Sequence, residues 1–196
     1  FVISGFNEVL TYSLVSDEDK TRIKISNPLL QETSCLRNNI WQEHIRICNQ
    51  NIKAGRESCW IFETGNIFVN ASTNNQIEIL SGAISGNNYD EKWEFSGKSS
   101  ELNYYQARGK LRQVFSHLNV SVIDKPTDKY KYLHPGRTSL LIIEGKEAGY
   151  FGQINPKYIA EKRSLKNLFL FSIDIDKLLM AAIRTNKWTP IFKDYP

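Results

Sequence analysis

The chain has 196 residues, of which 41% are hydrophobic, 23% charged and 12% aromatic, with a net charge of +4 and a pI near 8.9. Such a chain is long enough for one large domain, or two small ones, to bury a core without disulfides or metal, and the composition excludes a disordered polypeptide. The mild positive charge permits contact with RNA without demanding it, no Lys/Arg stripe stands out as a nucleic-acid footprint, and no apolar run reaches the ~18 residues of a membrane span, so no membrane partner is expected.

Residues Phe6 to Leu14 are rich in β-branched and aromatic side chains and read as a strand. Thr21 to Ser26 alternates polar and apolar positions and ends at Asn27-Pro28, where proline stops the strand and begins a turn. Asn38 or Asn39 can cap a helix on which Trp41, Ile45, Cys48 and Ile52 share one face, with Gly55 as its stop. Cys59 to Glu63 reads as a buried strand broken at Gly65 and resumed at Asn66–Val69, and Gln76 to Ile84 as its neighbour. Ser99 or Ser100 is the expected cap of a second helix carrying Leu111, Val114, Phe115 and Leu118. Leu140 to Ile143 and Ala148 to Ile154, joined through Glu144-Gly145-Lys146, form a β-hairpin. Leu168 to Ile173 is a last strand, and Asp174 opens a helix reaching Thr185. Hairpins with interspersed helices, not β-α-β alternation, indicate the α+β class.

Chemistry is sparse. Gly97-Lys98-Ser99 resembles the end of a phosphate-cradling loop, but Lys92 stands where that loop needs a glycine. His44, His117 and His134 have no metal-ligand spacing, and His44 and His117 read as partly exposed or satisfied helix residues. Asp174 and Asp176 fit a helix N-terminus better than a magnesium site. Cys35, Cys48 and Cys59 lack a zinc or redox spacing and read as reduced thiols. Asn70-Ala-Ser72 and Asn119-Val-Ser121 match glycosylation acceptors by chance, since no signal peptide is visible. Lys125, Lys129 and Lys131 read as a solvated loop. Leu133-His-Pro-Gly-Arg-Thr138 is more distinctive: Pro135-Gly136 aims His134 and Arg137 from a tight loop between two strands. Arg137 could hold a carboxylate or phosphate, but a structural ion pair inside the domain or with a partner ranks first because no catalytic acid, base or nucleophile accompanies it. The start without Met and the end at Pro196 suggest a piece of a longer polypeptide.

Several segments in series resemble one family. Gly5-Phe-Asn-Glu-Val-Leu-Thr-Tyr-Ser13, Asn27-Pro-Leu29 with Leu36-Arg37, Phe62-Glu-Thr-Gly-Asn-Ile-Phe68, Tyr104 to Leu118, Leu133-His-Pro-Gly-Arg137, Gly149-Tyr-Phe-Gly-Gln-Ile-Asn-Pro156 and Phe169 to Leu179 follow one another as in the synthetase-like core of phenylalanyl-tRNA synthetase β subunits. Ser96-Gly-Lys98, Leu133 to Thr138 and Phe151-Gly-Gln153 look most like its cyanobacterial and plastid branch.

The resemblance implies a class II synthetase-like antiparallel sheet flanked by helices over residues 1–190, and in 191–196 the start of a linker to an anticodon-binding domain. It implies a catalytic α subunit as partner in an α2β2 heterotetramer, with tRNA bound by the whole enzyme, which uses ATP and Mg²⁺. It favours the plastid stroma, with the bacterial cytoplasm as alternative. The class II signature needs an arginine after the Phe-Glu strand and a glycine-rich strand ending in arginine; Phe62 to Phe68 has none, and Leu133 to Arg137 has one glycine. No catalytic, cofactor-binding or metal residue is therefore assigned, and the expected role is a scaffold, with Trp41, Trp60 and Trp93 in the core or at a subunit face. The rival readings are a free-standing adenylating enzyme using Arg137 or Arg108, and a tRNA-binding module.

Overall fold

A computed structural model describes residues 1–17, 19–70, 75–88, 100–159, 165 and 167–181. Among the described residues, ten strands and four α-helices follow in chain order: β1 (Asn7–Glu8), β2 (Leu14–Val15), β3 (Ile23–Lys24), β4 (Cys35–Leu36), α1 (Trp41–Lys53), β5 (Ser58–Asn70), β6 (Asn75–Gly86), α2 (Tyr104–His117), β7 (Val122–Pro126), β8 (Leu133–Ile143), β9 (Lys146–Ile154), α3 (Pro156–Ile159), β10 (Leu168–Asp174) and α4 (Ile175–Leu179). Seven strands form one sheet in the order β1-β5-β6-β10-β9-β8-β7, and β2-β4-β3 form a small second sheet. Only β1 runs parallel to its neighbour in the large sheet. The architecture is α+β, as expected.

Period-two alternation sorts the side chains of the large sheet onto two faces. Trp60, Leu80, Phe151, Phe169 and Phe171 face Leu111, Val114 and Phe115 of α2 and Leu178 of α4. Cys59, Ile61, Ala83, Tyr150 and Leu170 face Ile45 and Cys48 of α1 and Ile159 of α3. Both faces are therefore covered by helices. A stack of rings extends the α1 side: Trp41 lies 4.6 Å from Tyr132, and Tyr130 lies 4.4 Å from Tyr150. Burial raises the Tyr132 and Tyr150 phenols, the latter to about 12.

Several boundaries differ from the sequence reading. Strand β5 is continuous through Gly65. A Cβ there would collide with the Arg37 guanidinium, so the glycine makes room on a strand and does not end it. The cap of α2 is Asn103, whose Oδ1 accepts from Gln106 N while Gln106 Oε1 accepts from Asn103 N, both at 2.9 Å. Ser100 lies outside the helix, and Ser99 falls outside the described residues; α4, expected to reach Thr185, ends at Leu179 with Met180 as its C-cap. At α1 the cap position is Ile40, although Asn39 Oδ1 still accepts from Gln42 N at 3.4 Å. The stop at Gly55 holds, with φ +87°. The β8–β9 turn places Glu144 and Gly145 at φ 46° and 77°, the paired left-handed geometry of a two-residue hairpin.

Candidate functional site

Glu63 lies on the same face of β5 as Cys59 and Ile61, two residues apart each time, and that face packs against α1. A carboxylate in such a position is costly unless it is paired. The partner comes from the segment between β4 and α1: Arg37 Nη1 lies 2.8 Å from Glu63 Oε1, and the two side chains are 3% and 1% exposed. Arg37 Nη1 also donates to Thr11 Oγ1 at 2.8 Å, and Arg37 Nε donates to the Asn66 carbonyl at 2.9 Å. Thr11 Oγ1 donates to Glu63 Oε2 at 2.7 Å. His44 of α1 brings Nε2 to 3.6 Å from Glu63 Oε2, and its Nδ1 lies 3.4 Å from Ser81 Oγ on β6.

Four parts of the chain thus meet at one carboxylate. Burial alone would raise its pKa; the adjoining His44 ring, hydrogen bonds from Thr11 and Arg37, and the Arg37 charge outweigh that and lower it from 4.5 to about 2. The folded-state value lies below the unfolded one. The stabilisation is therefore complete above about pH 4.5 and is lost as pH falls toward 2, an effect of about 3 kcal/mol. Urea unfolding should show the advantage of the wild-type chain over Glu63→Gln shrinking by that amount between pH 6 and pH 2, with both pH limits taken at about those values. A constant difference would refute it.

The arrangement suits structure, not catalysis. Glu63 and His44 are buried, so no substrate can reach the two groups able to exchange a proton. Of the two readings of His44, partly exposed or satisfied, the structure rules out the first and places Nδ1 against Ser81; His117 is exposed. The network escaped the sequence reading because its members lie 26 residues apart for Arg37 and Glu63, and further for Thr11 and Ser81. The one available signal was Glu63 itself, an acid in phase with buried apolar residues of a strand.

The segment Leu133 to Thr138 is not a loop between strands but a bulge within β8: Leu133 pairs with Ile154 and Thr138 with Gly152, leaving four residues opposite Gln153. His134 Nδ1 accepts from Gly136 N at 3.1 Å, and its carbonyl accepts from Thr138 Oγ1 at 2.7 Å. Exposed Arg137 makes no ion pair among the described residues and donates to Gln153 Oε1 at 2.7 Å. Arg108 binds Asp124 with two hydrogen bonds of 2.8 Å. Trp60 is a core residue and Trp41 a half-buried one, while Trp93 lies outside the described residues. Gly97-Lys98-Ser99 also lies outside them. Asp174 caps α4 through Lys177 N at 3.3 Å. The cysteines are buried and unpaired. Among the described residues no cluster of His, Cys, Asp and Glu could hold a metal, and no helix is long and apolar enough to cross a membrane.

The fold is that of a class II aminoacyl-tRNA synthetase. Two structures of pyrrolysyl-tRNA synthetase from Desulfitobacterium hafniense superpose with TM-scores of 0.63 and 0.60 at 12% and 14% identity; each superposition covers 91% of this chain, and 61% and 64% of the synthetase chains. Residues 1–175 match the family described as the phenylalanyl tRNA synthetase beta chain CLM domain, and the chain belongs to that family. A phenylalanine–tRNA ligase β subunit from Prochlorococcus marinus strain MIT 9312 is 62% identical over the whole chain, and one from Synechococcus sp. strain CC9902 is 43% identical. The chain spans 24% of the length of each of these relatives.

Proposed function

We propose that this chain is the non-catalytic synthetase-like core of a phenylalanine–tRNA ligase β subunit, and that it holds a catalytic α subunit in place. The observation that carries this reading is the buried Arg37–Glu63 pair. An arginine that grips a nucleotide phosphate must present free donors to a cavity, whereas Arg37 spends its donors on Glu63, Thr11 and Asn66. Of the cations of the adenylating alternative, Arg137 is held by Gln153, and Arg108 is paired with Asp124 beside a recess of about 220 Å³, too small for a nucleotide.

Surface composition supports a scaffold. Leu10 and Tyr12, which flank Thr11, and Leu29 and Leu30, between β3 and β4, are large apolar side chains that stay between 63% and 100% exposed. Such side chains suit a subunit face better than the tryptophans do. The whole enzyme would be an α2β2 assembly that uses ATP and Mg²⁺ to attach phenylalanine to tRNA, with none of that chemistry residing in this domain. The cyanobacterial origin of the relatives favours a bacterial cytoplasm over the plastid stroma.

The test is the mass of the β chain bearing this domain, alone and with its α subunit, with ATP–pyrophosphate exchange measured on each sample. A complex with exchange only when α is present is the expected result. Exchange by the β chain alone, without a complex, would overturn the reading.

A further inference from the structure

We propose that the recess between α2 and the start of β7 is a phosphate-binding site in which Arg108 and Arg112 are the cationic ligands. The recess has a volume of about 220 Å³ and is lined by Arg108, Arg112, Phe115, Ser116 and Ser121 with two valines. That is below the ~300 Å³ at which cofactor pockets begin, so it excludes a nucleotide and leaves room for a single phosphate group.

Arg108 is 9% exposed. Two of its nitrogens serve Asp124, and the third, Nη1, is buried without a partner. A buried charged donor left unpaired is costly, which makes a bound acceptor favourable. The Phe115 ring, 5.9 Å from the guanidinium carbon, supports the plane of the fork. Arg112 stands one turn further along the same face of α2; it is exposed and engaged with no described residue. Asp124 neutralises one arginine, so the positive charge of the recess comes from Arg112. The Ser116 and Ser121 hydroxyls add neutral donors, and an oxyanion is the ligand that matches this set.

The surroundings favour a phosphate carried on RNA. Residues 104–137 hold seven Lys or Arg against two Asp, whereas the whole chain has a net charge of only +4, and α2 contains no acidic residue. Tyr105, 82% exposed, lies one turn before Arg108 and offers a ring on which a base can stack.

The site stands on its own geometry and does not depend on the scaffold reading. Its test uses the αβ enzyme with Arg112→Ala, Arg112→Glu and, to keep a charge opposite Asp124 while removing the fork, Arg108→Lys. tRNA binding is followed by anisotropy across a salt series, and inorganic phosphate by ³¹P line broadening. Arg112→Ala should weaken tRNA binding roughly tenfold and lower the slope of log K against log salt by about 1, with a larger loss for Arg112→Glu. Subunit association, read by mass, should stay unchanged in these variants, so its failure would count against the scaffold and not against this site. Unchanged tRNA binding with phosphate broadening lost in the Arg112 variants would assign the site to free phosphate. No change in either readout would overturn the proposal and leave a recess filled by water.

Discussion

Arg37→Met should cost about 3–5 kcal/mol of stability, because it leaves the Glu63 carboxylate buried with its strongest partner gone. Four elements lean on this one pair. Arg37 ties Thr11 to β5 by bonding Thr11 as well as Glu63 and the Asn66 carbonyl of that strand, its own N–H donates to the Ser13 carbonyl, and its carbonyl accepts from Phe68 N. Removing the guanidinium therefore also loosens the docking of the first strand segment on the edge of the large sheet. Glu63→Ala should do comparable damage for the mirror reason, an arginine left in the interior without a counter-charge. Combining Arg37→Met with Glu63→Leu should recover much of the loss, since an apolar pair of similar volume no longer asks for solvation. Urea unfolding of the three variants at neutral pH measures this. If the single substitutions each cost less than about 1 kcal/mol, the pair is solvated in solution and the case for a sealed sheet face fails.

Local signals were legible in the sequence where one segment carried all the information. The β8–β9 hairpin is an example: alternation on both sides and a glycine at the turn suffice, and the left-handed Glu144-Gly145 pair confirms it. The Gly55 stop and the Asp174 cap are of the same kind. The failures share a different cause. Gly65 looked like a break because glycine usually is one; its reason lies 28 positions away in sequence, in the space taken by the Arg37 side chain. His44 could be read as partly exposed or as satisfied, and the sequence did not choose, because its burial is decided by Glu63 and Ser81 on the strands below. Arg137 was given an ion pair inside the domain or with a partner, and among the described residues the bulge in β8 turns it to Gln153. Position in the sheet, not residue type, sets each of these outcomes. The same holds for the arginine pair of α2, where Arg108 is legible as a cation but its orphaned Nη1 is visible only once Asp124 has claimed the other two nitrogens.

Phe171→Ala should also cost about 3–5 kcal/mol, with the milder Phe171→Leu below about 1.5 kcal/mol. Phe171 is fully buried on β10, which is hydrogen-bonded on both sides, to β6 and to β9. Its backbone therefore cannot shift to fill a void. Its ring occupies the space that Gly82 leaves by having no side chain, and it meets Phe1 at 5.7 Å in a stack and Phe6 at 6.1 Å edge-on. Phe1 in turn stacks on Phe62 at 4.7 Å, and Phe6 packs against Trp60. One ring in the middle of the sheet thus anchors the N-terminal segment from one face, while Arg37 and Thr11 anchor the following residues at the other. The two predictions are separable. Truncating Phe171 should raise hydrogen exchange at Phe6 and β1 without altering the acid limb of the stability curve, which belongs to Glu63. Truncating Arg37 should change both. If Phe171→Ala instead leaves exchange at the N-terminal segment untouched, the ring stack does not hold that segment, and its position must come from the Thr11 and Arg37 bonds alone.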